Sequence, residues 1–273
     1  MQVKRNINGI QLSFDITDEE IIQWVASKPI DERLKITMIK TVSIGDIHGR
    51  DSWWEAVNGV QHNIDDLDYV VFVGDYVDSF DISAAVQLYN LQQIIDLKKK
   101  YPEKVVLLLG NHDLQYLLHP EHRCSGYQEK NYLQFMMMFK ENRALFKAAH
   151  QIENYLWTHA GIHRGWYNEC VKKYCDLHPH MTLANVINQD FDRNRHWLFS
   201  VGYLRGGSSN VGGPFWLDRR NSWNKPVKGY HQIFGHTHTE PEREIMHRVF
   251  DDDTSVTCID ALESGPIFYY AEI

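Results

Sequence analysis

At 273 residues, 43% hydrophobic and 23% charged, the chain has the make-up of an ordinary soluble globular protein, long enough for a two-faced sheet covered by helices. A net charge of −8 argues against a nucleic-acid backbone as the main partner, which would need a basic face. No apolar run has the length of a membrane span or signal peptide, and Cys124, Cys170, Cys175 and Cys258 form no Cys-x-x-Cys pair, so reduced thiols in a cytoplasmic compartment and no membrane partner are expected.

Residues 1–15 are polar and read as irregular or a short strand. Thr17 or Asp18 can cap a helix over 19–27, closed by Pro29. The β-branched run 36–44 predicts a strand that ends at Gly45-Asp46-Ile47-His48-Gly49, where an Asp and a His two residues apart can turn toward one point. Residues 52–62 read as an amphipathic helix. The continuous apolar run 67–73 is of buried parallel-strand type and ends at Gly74-Asp75-Tyr76-Val77-Asp78. Helical spacing returns over 82–100, and strand 105–109 ends at Gly110-Asn111-His112-Asp113. A repeated βα pattern predicts a mostly parallel α/β sheet, with ligands collecting at the carboxyl ends of its strands.

From 114 to 151 the pattern looks helical, with Phe135-Met136-Met137-Met138-Phe139 as an apolar centre read mainly as core. Strand 154–157 leads into Thr158-His159-Ala160-Gly161. Helical patterns surround 166–174 and 182–190, followed by the Gly-rich stretch 205–214, which lacks Walker A spacing and reads equally as a wall over a site or an ordinary connection. Residues 230–234 lead into Gly235-His236-Thr237-His238, and further strands follow through Val249, 256–259 and 267–270. The expectation is one domain over 1–273, with mostly helical insertions near 114–153 and 162–228.

Asp46, His48, Asp75, Asn111, His112, His159, His236 and His238 thus gather at consecutive strand ends. Singly, each has a bland reading: a core histidine, a surface loop, a turn. Jointly they form an oxygen and imidazole set that suits borderline divalent metals, too large for one ion and about right for two that share a carboxylate, with Asp75 as the natural bridge.

The ordered set GDIHG, GDYVD, GNHD, THAG and GHTH resembles the calcineurin-like metallophosphoesterase superfamily, nearest its branch of phosphoprotein phosphatases and diadenosine tetraphosphatases. That resemblance implies an α/β fold in which two mixed sheets pack as a sandwich flanked by helices. It implies one metal held by Asp46, His48, Asp75 and His238, and a second by Asp75, Asn111, His159 and His236. Mn is favoured, with Fe, Zn, Ni and Co as the other candidates. His112 is implied as the general acid and Asp78 as the carboxylate that orients it. Between two ions a water is deprotonated near neutral pH and attacks phosphorus directly, so no serine or cysteine nucleophile is needed.

Three departures bear on the substrate. The branch continues its second motif as GDYVDRG, whose arginine grips phosphate; here Ser79-Phe80 follow. Its GNHE ends here in Asp113, and its HGG is here His159-Ala160-Gly161, closer to the diadenosine tetraphosphatases. A hydroxyl does not replace a bidentate guanidinium, so Arg205, then Arg50 and Arg164, are candidates beside Asn111 for holding the phosphate. The leading expectation is a serine/threonine-type protein phosphatase acting on phosphate monoesters. A dinucleoside polyphosphate hydrolase, taking a small nucleotide substrate, is the alternative, and a non-catalytic scaffold on the same fold is the third reading.

Overall fold

The computed structural model describes residues 2–7, 10–15, 38–59, 63–118, 123–238, 244–251 and 253–273. The chain divides into two compact units, residues 1–38 and 39–273. In the first, β1 (Gln2–Ile7) and β2 (Ile10–Asp15) pair antiparallel, with Ile7 opposite Ile10. The sequence reading allowed one short strand there; it passed over the Asn8-Gly9 dipeptide, a strong hairpin signal. The helix expected over 19–27 lies outside the described residues.

The second unit holds two mixed sheets of five strands each. In the first sheet β3 (Lys40–Ile44), β4 (Tyr69–Phe72), β5 (Val105–Leu108) and β6 (Phe146–Lys147) run parallel, and β12 (Tyr269–Glu272) closes the β3 edge antiparallel. In the second, β11 (Thr254–Cys258), β9 (His231–Phe234) and β8 (Tyr155–Thr158) are parallel, flanked by antiparallel β10 (Met246–Asp251) and β7 (Ala149–Ile152). Successive side chains of β4 point to opposite faces, and both faces are buried. Val70 and Phe72 join the helix-side core, whereas Val71 and Val73 meet Trp157, Ile233 and Ile259 between the sheets. Trp157 also donates its indole N–H to Ser43 Oγ across that layer, at 2.8 Å. The expected sandwich of two mixed sheets flanked by helices is therefore what the chain adopts.

Helices cover the outer face of the first sheet. α1 (Trp54–Asn58) is shorter than the 52–62 expected: it stops at Gly59, and Asn58 pairs back with Asn63. α2 (Ala84–Lys100) begins at its Ser83 cap and buries Leu91, Ile94 and Ile95. α3 (Asn111–Leu117) starts inside the third motif. α4 (Tyr132–Glu141) buries Phe135 and Phe139, an i, i+4 pair each contributing on the order of 1.5–3 kcal/mol. Of its methionines, Met138 packs against the core and Met137 is about half exposed.

The helical reading of 114–151 fails at its end. Residues 146–152 instead carry the chain from the edge of the first sheet (β6) to the edge of the second (β7). Asn188 of α5 (Leu183–Asp192) fixes the crossing, its Oδ1 accepting from Ala148 and Ala149 N–H at 2.9 and 3.1 Å. Helical propensity of the Ala-Lys-rich run yields to pairing with two sheet edges. All four cysteines are free thiols, and no described helix is long and apolar enough to cross a membrane.

Candidate metal centre and active site

Five strands deliver side chains to one cavity of about 800 Å³: β3 brings Asp46 and His48, β4 Asp75, β5 Asn111 and His112, β9 His236 and His238, and β11 Asp260, while His159 after β8 lies fully buried behind. The motif glycines make room for carboxylates. A Cβ on Gly110 would sit 2.0 Å from Asp75 Oδ1, and one on Gly235 would sit 1.9 Å from Asp46 Oδ1. His48, Asp75, Asp78 and His236 all adopt positive φ (42°, 52°, 71° and 66°), the left-handed backbone that turns each strand end into the cavity.

The imidazoles fall into two kinds. His48 Nδ1 lies 2.9 Å from Val77 O, and His159 Nδ1 lies 2.9 Å from Val73 O. A carbonyl only accepts, so each Nδ1 carries a proton, and in the neutral ring each Nε2 then carries a lone pair. Both lone pairs face Asp75 Oδ2, at 3.9 Å for His48 and 3.4 Å for His159. Around His159 Nε2 crowd the acceptor Asn111 Oδ1 at 2.8 Å and the ring nitrogen His236 Nδ1 at 3.1 Å. His236 Nε2 is buried with no hydrogen-bond partner among the described residues. Burial, against the pull of Asp75, holds His48 down to about 4, and burial with Arg205 and His159 lowers His236.

His112 is different. Its Nδ1 meets a carboxylate, Asp78 Oδ2, at 3.0 Å. Burial opposes the charged ring, but Asp75 and Asp78 outweigh it and raise His112 above its ordinary value. Asp78 in turn is pinned: Tyr116 OH and Gln115 Nε2 donate to its oxygens, and its own N–H donates to Gln87 Oε1 at 2.8 Å.

The carboxylates are crowded. Burial, Asp260 and Asp75 push Asp46 well above the usual carboxylate range, and burial pushes Asp260 up to about 6. For Asp75, burial is outweighed by His159, His112 and His48, which hold it low. Two groups have the spacing to hold a metal ion, His48–Asp75–His112 and Asp75–His159–His236, each with its ligand atoms within 4.8 Å of one another. They share Asp75. Asp46 lines the same cavity and receives the backbone N–H of His236 at 3.0 Å. His238 stands apart: half-exposed, its Nδ1 lies 3.6 Å from Asp260 Oδ2 and 3.8 Å from Glu263 Oε2.

Of the arginines singled out, Arg205 lines the cavity, with Nη2 donating to His236 O at 3.2 Å and to Thr237 Oγ1. Arg50 lies in an adjoining pocket beside His112 and pairs with Glu263 at 2.8 Å. Arg164 lines neither; its backbone N–H donates to Lys225 O at 2.9 Å. Sequence reasoning missed Asp260, although it too follows an apolar strand, and missed the role of Asp113. That buried carboxylate accepts from the N–H groups of Gly110, Asp75 and Tyr76 at 2.8–2.9 Å, tying two strand ends together. It missed Arg123, Asp218, Arg219 and Arg220 in the cavity wall as well; no motif signals them.

The sequence profile of the calcineurin-like phosphoesterases matches residues 39–240, which contain every motif above. The chain belongs to this family. It is a phosphoric ester hydrolase with candidate metal-ligand groups in its cavity. In fold, the phosphoesterase is similar to a mutant cold-active protein tyrosine phosphatase, at 18% identity over 82% of this chain and 72% of that one, with a TM-score of 0.50. The cold-active protein tyrosine phosphatase of a psychrophilic Shewanella species aligns over the same shares at 18% identity and TM-score 0.49. A protein serine/threonine phosphatase from Saccharomyces cerevisiae aligns at 18% identity over 82% of this chain and 67% of that one, with TM-score 0.42. No curated protein sequence matches the chain.

Proposed function

We propose that the chain is a two-metal phosphatase that hydrolyses phosphate monoesters, with phosphoserine- or phosphothreonine-bearing protein as its substrate class. One observation carries the reading: the imidazoles of His48 and His159 are held by carbonyls with lone pairs turned on a shared carboxylate, while that of His112 is held by a carboxylate. Ligating histidines commonly give their second N–H to such a carbonyl. In the neutral ring the His159 Nε2 lone pair faces Asn111 Oδ1 and Asp75 Oδ2 across about 3 Å, which repels unless a cation lies among them, and the orphaned His236 Nε2 and crowded carboxylates point the same way. The donor set therefore fits divalent metal. Asp46, His48, Asp75 and His238 would hold one ion, and Asp75, Asn111, His159 and His236 the other, with Mn the first candidate.

When bound, such ions supply Lewis acidity and a water of lowered pKa. The chain's own groups do the rest. His112, its affinity for a proton raised by Asp75 and Asp78, gives its Nε2 proton to the departing oxygen. Asp78 keeps that ring in one tautomer and orientation. Asn111 and Arg205 hold the phosphate; Arg50, already paired with Glu263, and Arg164, outside the cavity, are weaker candidates. Free thiols suit a reducing, cytoplasmic compartment. The segments near 114–153 and 162–228 supply Arg123, Ser125 and Arg205 to the cavity rim, which supports a role in specificity.

A second reading, dinucleoside polyphosphate hydrolysis, is favoured by one feature: four arginines (Arg123, Arg205, Arg219 and Arg220) line the cavity, more than a single phosphate uses. Para-nitrophenyl phosphate should be hydrolysed after metal stripping only when Mn or another borderline ion is restored. A phosphopeptide should then outpace diadenosine tetraphosphate. The reverse order selects the second reading, and silence on every ester despite metal binding leaves the phosphoanhydride substrate or a scaffold.

A further inference from the structure

We infer that Asp218 is a positioning residue for the substrate phosphate: its buried carboxylate fixes Arg205 in the orientation that the phosphate requires. The inference rests on the phosphoesterase reading above and on Arg205 as a phosphate-holding group. With Ser79 standing where the related phosphatases carry arginine, the grip has to come from another element. Arg205 ends a short 3-10 turn, Tyr203–Arg205. A long unbranched side chain there loses much rotamer freedom on binding unless the protein has already fixed it.

Asp218 and two neighbouring groups provide that fixation. Asp218 is 4% exposed, and its Oδ2 lies 3.0 Å from the buried Arg205 Nε, an ion pair whose N–H is not aligned as a hydrogen bond. The other end of the guanidinium is tethered through Nη2 to His236 O and Thr237 Oγ1. Nη1 has no hydrogen bond among the described residues, on a side chain that lines the cavity. Arg205 Nε makes no hydrogen bond either but is buried, so the donors left for a substrate oxygen are those of Nη1.

Asp218 is itself held from the far side. Arg220 grips it with both edges, Nε to Oδ1 at 2.8 Å and Nη2 to Oδ2 at 3.2 Å, and its backbone N–H reaches Oδ1 at 2.9 Å. One carboxylate between two guanidinium groups leaves a net positive charge on the cavity wall, so pairing does not cancel the attraction for phosphate. The Gly-rich loop that leads here is closely packed: a Cβ on Gly212 would lie 2.1 Å from Trp216 O. It is a firm support for Asp218, and the arrangement acts through Arg205 without Asp218 touching substrate.

The test measures the affinity of metal-loaded protein for inorganic phosphate by calorimetry, with KM and kcat for para-nitrophenyl phosphate and bound-metal content alongside. Asp218→Asn should weaken phosphate binding and raise KM by about tenfold together, the scale for losing an orienting partner, with kcat falling less and metal content unchanged. Arg205→Ala should lose at least as much, and adding Asp218→Asn to it should cost nothing further. Unchanged phosphate affinity in Asp218→Asn, or losses that multiply in the double variant, overturns the inference. Should Asp218→Asn not fold, Thr237→Val removes the other side-chain tether; it should weaken phosphate about threefold, and no change there also overturns the inference. A wild-type protein that binds phosphate yet turns over no ester sinks the functional reading alone, because the binding comparison stands without turnover.

Discussion

The two sheets bring different chemistry to one cavity and secure it differently. Strand ends of the first sheet carry Asp46, His48, Asp75, Asp78, Asn111 and His112, and they are bound to one another: His48 N to Asp75 O at 2.7 Å, Asp75 N to Asp113, His112 N to Asp75 Oδ1 at 2.9 Å. Those of the second sheet carry His159 and His236, and their defining bonds reach across to the first, to Val73 O and to the Asp46 carboxylate. One half of the site is braced locally. The other half has its own link, Gly235 N–H to His159 O at 2.8 Å, but relies in addition on bonds made across the sandwich.

Substitutions at the centre of the braced half should have the largest effects. Asp75→Ala removes the carboxylate common to both ligand groups; hydrolysis should disappear and metal content collapse, while circular dichroism stays native. Retained activity would sink the shared-carboxylate reading. His112→Asn should lower kcat by about 10²–10⁴-fold with bound metal unchanged, which separates a proton donor from a ligand; loss of an ion would make it a ligand instead. Tyr116→Phe, which strips one donor from Asp78, should cost roughly tenfold in kcat at constant KM.

Closure of the sandwich is probed more gently. Trp157→Phe leaves Ser43 without its buried donor and should destabilise by about 2–3 kcal/mol in urea unfolding, with metal retention falling as well. An unaltered metal content would contradict the dependence of the second half on closure. At the edge of the second sheet, burial and the neighbouring Lys147 and Lys98 lower His150 from 6.5 to about 4. Between those values the unfolded chain binds the extra proton, so this stability is present above pH 6.5 and is lost as pH falls toward 4. His150→Phe should lessen the acid loss by about 1–2 kcal/mol, read from urea midpoints at neutral and acid pH.

The strand ends were legible because chemistry-bearing residues follow directly on apolar runs, so position in sequence is position in the cavity. Asp260 obeys the same logic without a neighbouring His or motif glycine to draw attention to it. Arg205 was legible as a candidate, but its fixation was not: Asp218 and Thr237 reach it from other segments, and no local pattern encodes such a meeting. Phe146–Lys147 fails for a related reason. A strand of two residues exists only through its partner β5.

The left-handed backbone at His48, Asp75, Asp78 and His236 has an evolutionary corollary. Each such residue stores on the order of 1–2 kcal/mol that glycine would release. Replacing any of the four by glycine relieves the backbone and, at the two aspartates, also removes a buried charge. At Asp75 and Asp78, however, glycine would strand the buried donors His112 N–H, Gln115 Nε2 and Tyr116 OH, so selection for thermal robustness pulls mainly at His48 and His236. In a descendant freed from the chemistry, glycine should accumulate first at those two positions.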